Sequence, residues 1–294
     1  MVLRLDLDGT YSPYGLVTKI LTAEPNLKIP VPIEDLAHQL DIAEISELET
    51  DGFLGGLLTN HQRSFGSILV SAGLRHTRRR FTIAHELGHF LIPYHTPQKE
   101  GQFLCDNKAL RQIDTKSRNH FFKMEAEANQ FASLLLMPPP WLRPLIDGKR
   151  FPSLGTVVEI HRTFEVSKQA AARAYIDYNA EDLALLVVRH GQIQQIYKTR
   201  DFPRLGVAAG DSIPRNSLAL SNFPPGALSD SDPADMYEWL DTDELPRVRG
   251  LYEQVLGQAN GFSMIQLKAL VADPDEYDPE ADMTSKERLA YRRW

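Results

Sequence analysis

The sequence predicts an α+β fold built in more than one unit, and three observations predict it. Two segments, one starting near Arg78–Thr82 and one over Ser117–Leu136, repeat apolar residues at helical spacing. Three short strand-like runs, Ala43–Leu48, Gly52–Thr59 and Ser67–Ser71, lie ahead of the first of them. Beyond Ala180 the pattern changes to apolar runs joined by short turns. At 294 residues the chain exceeds one ordinary domain of about 100–200 residues. Its 43% hydrophobic and 24% charged side chains are the balance of a globular protein with a substantial core.

Residues 14–50 are helical in part: Pro30-Val31-Pro32 halts the chain, and Ile33, Leu36, Ala37 and Leu40 then recur on one helical face. Asp51-Gly52 and the polar stretch Asn60–Ser64 separate the three strands. In the first long helix Ile83, Leu87, Phe90 and Leu91 form the apolar face. Pro93 ends it, because a proline disfavours helical geometry in the residue before it. In the second, Phe121, Met124, Ala128, Phe131, Leu134 and Leu135 supply the buried side, and Pro138-Pro139-Pro140 stops it. Two shorter helices follow, Ser153–Phe164 and Ser167–Tyr178, with a tight turn at Glu165-Val166 and Ser167 as N-cap. Leu183–Arg189 and Gln192–Lys198 pair around His190-Gly191, and Gly250–Leu256 and Phe262–Ala269 pair around Asn260-Gly261. These breaks divide the chain into a unit at 1–150, a helical pair at 151–180, a small α+β domain at 181–272 and a tail at 273–294 that is mobile or docks late.

Composition excludes several classes. Cys105 is the only cysteine, so the chain is no disulfide-stapled secreted scaffold. MVLRLDLDGTYSPYG lacks the basic start and apolar stretch of a signal peptide. No window reaches the ~20 apolar residues of a membrane span, and the expected location is the cytoplasm. The net charge is −7, and residues 1–150 balance 17 basic against 17 acidic side chains, so no segment has the basic excess that drives phosphate binding. The dense run Arg75–Arg80 reads as a solvated loop, with a substrate-docking patch as the sharper alternative. The pair at 153–178 could put Lys168, Gln169 and Arg173 on a DNA-reading helix. Against direct DNA binding, the segment is net acidic, and Val166, Ala170, Ala171 and Ala174 suit an ordinary helical hairpin.

The motif that carries chemistry is His85-Glu86-Leu87-Gly88-His89. Residues four apart share a helix face, so both imidazoles can bind one Zn²⁺ at about 2.0–2.1 Å. Glu86, one residue round the turn, is near the metal without ligating it; there it can take a proton from the metal's water and pass it to a leaving amine. Gly88 costs the helix about 1 kcal/mol relative to alanine, which points to a close approach at that position. A catalytic zinc needs a third protein ligand. His95 lies six residues beyond His89, the metzincin offset, but Ile92 stands where that pattern needs a glycine turn, so a loop histidine is the better reading. Glu125 is the stronger candidate, with Glu127 its rival. Asn129, four residues from Glu125, could hydrogen-bond the back of a ligating histidine, while Glu127 points elsewhere as a solvated charge or capping partner. A set of two histidines and a glutamate suits Zn²⁺ and would also accept Mn²⁺ or Fe²⁺. Tyr94, His95 and His120 lie near the motifs as candidates for an oxyanion stabiliser, and the sequence does not choose among them.

Phe81–His89, Glu125–Ala132 and Leu135-Leu136-Met137-Pro138 together resemble the ImmA/IrrE metallopeptidase family over about residues 30–180. The resemblance implies a zincin-like core with a gluzincin-like site, in which His85, His89 and Glu125 are ligands and Glu86 the catalyst. It implies a metalloendopeptidase that cleaves a helix-turn-helix repressor, or an antitoxin-type regulator, within the cell and so relieves repression, for example in a stress response. In some relatives a sensor-like domain follows, which gives 181–272 an expected sensory or regulatory part. The competing expectation is a regulatory protein-binding or sensor module on a zincin fold, with little or gated peptidase activity.

Overall fold

The computed structural model describes residues 1–49, 52–60, 62–96, 120–221, 223–272 and 284, and the backbone of 102–106. The fold is mixed α+β, in two compact units: Met1–Gly148 with Thr156–Ala174, and Lys149–Gly155 with Tyr175–Trp294. The expected tail at 273–294 lies outside the described residues apart from 284, as do Asp51 and the first residues, 117–119, expected for the second long helix. No helix among the described residues is long and apolar enough to cross a membrane.

In the first unit, helix α1 (Pro13–Ala23) starts where Ser12 Oγ accepts a hydrogen bond from the Gly15 amide. Proline opens this helix, a position whose N–H has no helical partner in any case. Helix α2 (Ile33–Gln39) leads into strand β1 (Ile42–Leu48), and β2 (Phe53–Thr59), β3 (Gly66–Ser71) and β4 (Gln102–Asp106) complete a sheet of order β1-β3-β2-β4. β1 and β3 run parallel with Ile45 opposite Ile68, while β2 is antiparallel to both its neighbours. Strand β4 has no counterpart in the sequence reading; it exists by pairing with the open edge of β2, a contact that local periodicity does not encode.

Helix α3 (His76–Leu91) packs on β2, β3 and α2, and helix α4 (His120–Leu136) packs on α3 and α1. The basic run is therefore a helix start and no solvated loop. Arg79 pairs with Glu34 and Glu47, His76 Nε2 lies 2.7 Å from Glu165 Oε2, and buried Arg80 donates to the Val31 carbonyl at 2.9 Å. The close approach at Gly88 is that of α4: a Cβ there would come 3.3 Å from Ala128 Cα and 3.0 Å from Phe131 Cδ1. The triple proline ends α4 and also begins a helix the sequence alone does not predict, α5 (Pro139–Asp147), with Pro138 as its N-cap and Pro139 and Pro140 in its first turn. Helices α6 (Leu154–Phe164) and α7 (Lys168–Asp177) meet at Glu165, which has φ 51°, and Ser167 Oγ accepts from the Ala170 amide at 3.1 Å. Over Thr156–Ala174 this pair belongs to the first unit.

The second unit is an antiparallel sheet of order β6-β5-β9-β8-β7, from β5 (Leu183–Arg189), β6 (Gln192–Lys198), β7 (Asp232–Pro233), β8 (Val248–Gly257) and β9 (Phe262–Val271). His190-Gly191 and Asn260-Gly261 have positive φ at both residues, the geometry that joins two-residue hairpins without splaying the strands. Pairing of β5 with β9 merges the two expected hairpins into one sheet, over a core that includes Leu186, Phe202, Trp239, Val255 and Ile265. Buried Glu253 accepts from Ser217 Oγ at 2.6 Å and from the Leu218 amide at 3.2 Å, yet burial pushes its pKa above the usual carboxylate value. The folded form then keeps this proton to higher pH than the unfolded chain. Its contribution to stability is present below the unfolded pKa and is lost as pH rises through the folded one. The urea midpoint of Glu253→Gln, measured relative to wild type, should therefore move upward between pH 4 and pH 7; a difference independent of pH would contradict the raised pKa.

Candidate metal centre

Helix α3 sets His85 and His89 one turn apart, and both are fully buried. Their Nε2 atoms lie 3.1 Å apart, with the rings edge-to-face. Where α4 crosses at Gly88, Glu125 brings Oε2 to 3.4 Å from His85 Nε2 and Oε1 to 3.3 Å from His89 Nε2. Among the described residues, His85, His89 and Glu125 form the group of donors, all within 4.8 Å of one another, that could hold one metal ion.

Their protonation fits a divalent cation. Burial lowers the His89 pKa to about 4, so this imidazole is neutral at pH 7. Burial alone would raise Glu125, but the imidazoles of His85 and His89 beside it carry it down to about 2, so it stands as a carboxylate. His85 Nδ1 lies 3.0 Å from Asn129 Oδ1, an acceptor, which assigns the ring hydrogen to Nδ1 and leaves the Nε2 lone pair toward Glu125. Two buried imidazoles and a carboxylate, gathered within reach of one point, are a donor set of the kind that holds zinc.

The remaining sequence candidates fall in distinct places. Glu86 is fully buried on α3 and faces β2, where a Cβ on Gly55 would come 2.9 Å from its Oε1 and 2.3 Å from Thr82 Cγ2. Gly55→Ala should therefore displace Glu86 or the helix. The expected result is a loss of about 1–3 kcal/mol in denaturant-measured stability. Glu127 is not a solvated charge: its side chain is 13% exposed, and Oε2 lies 3.2 Å from His95 Nε2. His95 is fully buried behind His89, with Nδ1 3.0 Å from His89 Nδ1, on the opposite side from Glu125. Burial raises the Tyr94 pKa, and its phenol bonds Glu127. His120 is exposed at the start of α4.

Arg63, unmarked in the sequence, donates from Nη1 to the carbonyls of Ile92 at 2.8 Å and His89 at 3.3 Å. It thereby caps the end of α3 and fixes the loop that carries His95. Its only sequence signal is a polar inter-strand stretch, because the carbonyls it meets are 26 and 29 residues away.

Two histidines one turn apart on a helix, met by a glutamate from a second helix that crosses it, form a candidate metal centre beside a small sheet. Residues 43–175 match the family described as the IrrE N-terminal-like domain, Peptidase M78, and that region belongs to the ImmA/IrrE family. The match spans β1 to α7 and so contains the whole donor set. No curated protein matches the chain. Among solved structures, a Mycobacterium tuberculosis transcriptional regulator is similar at 12% identity and a TM-score of 0.49, over 84% of this chain and 72% of that one.

Proposed function

We propose that the chain is a zinc-dependent endopeptidase of narrow specificity that acts in the cytoplasm on a helix-turn-helix repressor or antitoxin-type regulator and so relieves repression. The observation that supports this most is the buried His85–His89–Glu125 group, with Glu86 buried on the same helix as the two histidines, inside a region of a metallopeptidase family. In this reading His85, His89 and Glu125 hold the metal, with Mn²⁺ or Fe²⁺ as possible substitutes for Zn²⁺. When bound, the metal supplies a Lewis acid that polarises the scissile carbonyl and brings a water pKa toward about 7.

The chain's own residues do the rest. Glu86 accepts the proton of the attacking water and returns it to the departing amine. Its burial in low dielectric strengthens each charge interaction it makes. Asn129 holds the tautomer of His85 that leaves Nε2 bare. The unit after residue 180 is assigned a regulatory part.

The test is to incubate the metal-loaded chain with the helix-turn-helix protein encoded nearest to it and to map products by mass spectrometry. Cleavage at a defined bond, blocked by chelator and restored by zinc, is the expected result. Metal bound at one ion per chain with no cleavage would favour the regulatory module with gated activity instead.

A further inference from the structure

Behind the metal-facing side of the histidines runs a second set of hydrogen bonds. His89 Nδ1 lies 3.0 Å from His95 Nδ1, and His95 Nε2 lies 3.2 Å from Glu127 Oε2. Glu127 stands two residues from Glu125 on α4, so one helix presents a carboxylate to the front of the α3 histidines and another to the loop behind them. That loop is held in place: Arg63 Nη1 donates to the Ile92 carbonyl at 2.8 Å, and the His95 amide donates to the same carbonyl at 3.2 Å. Lys123 Nζ, 3.9 Å from Glu127 Oε1, keeps the carboxylate beside a cation.

The direction of the hydrogen bonds follows from what each group can do. A carboxylate only accepts, so His95 carries its ring hydrogen on Nε2. A neutral imidazole has one such hydrogen, which leaves His95 Nδ1 as an acceptor. Two bare nitrogens at 3.0 Å with no cation between them would repel, so His89, whose Nε2 faces the metal-ligand group, carries its hydrogen on Nδ1. The lone pair of His89 Nε2 then points to the side where Glu125 Oε1 lies.

Resting on the metallopeptidase reading, we propose that His95 and Glu127 are positioning residues of the metal centre: the series Glu127–His95–His89 fixes the tautomer and ring orientation of His89 and so tightens metal binding. Asn129 does for His85 what this longer series does for His89. Both supports reach the α3 histidines from α4, so the crossing at Gly88 sets the ligand and its supports together.

The experiment is zinc affinity of the full-length chain, by competition with a chromophoric chelator, for wild type and three variants. His95→Phe keeps a ring but removes the acceptor, and should weaken zinc binding about 10–100-fold. His95→Asn, whose amide oxygen can take the place of Nδ1, should recover most of that loss, which a purely packing role of the ring would not allow. Glu127→Leu should weaken binding several-fold, and it keeps the proposal open to refutation if His95→Phe does not fold. In ¹H–¹⁵N spectra of the zinc-loaded chain, a slowly exchanging His89 Nδ1–H should be present in wild type and lost in His95→Phe. Wild type that binds zinc alongside variants within twofold of it would overturn the positioning role alone. Wild type that binds no zinc would overturn the metal centre and this role with it.

Discussion

Glu86→Gln is expected to lower cleavage of the target protein by about 10²–10⁴-fold while leaving one metal ion per chain. The amide matches the carboxylate in size, so the packing of α3 against β2 at Gly55 is undisturbed. What would be lost is the oxygen proposed to accept a proton, and Glu86 directly follows His85 on α3 without belonging to the donor group. Single-turnover kinetics with a metal assay on the same samples separates the two effects. Turnover within threefold of wild type, at full metal content, would remove Glu86 from the chemistry.

Loss of the third donor should be just as decisive for the metal. Glu125→Ala is expected to reduce bound zinc to a small fraction of an ion per chain. It leaves two buried imidazole nitrogens 3.1 Å apart with no carboxylate to complete the set. A metal held at a thousand times its dissociation constant stabilises a fold by about 4 kcal/mol. A chelator should therefore lower the melting temperature of the wild-type chain by roughly 10 °C, at about 2–4 °C per kcal/mol for a unit of this size. In Glu125→Ala that chelator effect should vanish. Retained zinc in Glu125→Ala, with loss in Glu127→Ala, would exchange the roles of the two carboxylates.

Much of this was legible in the chain because it is local. Helical spacing of Ile83, Leu87, Phe90 and Leu91 places His85 and His89 on one face whatever surrounds them. Gly88 marks a close approach because an exposed helix gains nothing from glycine at that position. The turns His190-Gly191 and Asn260-Gly261 announce hairpins through their backbone preferences.

Other features depend on contacts remote in sequence, and there the reading failed or stopped. The run Arg75–Arg80 looked solvated because Glu34, Glu47 and Glu165, which pair with it, lie on other elements. Strand β4 needs the edge of β2, nearly fifty residues earlier. Helix α5 was hidden because three prolines stop one helix as readily as they open the next.

The sequence by itself determined which of the candidate residues share a helix, because periodicity and side-chain type are properties of a short stretch. Only the tertiary structure decided which carboxylate of α4 meets both histidines and which faces His95. Glu125 and Glu127 are two residues apart on one helix, and the angle at which α4 crosses α3 over Gly88 is set by packing between segments about forty residues apart.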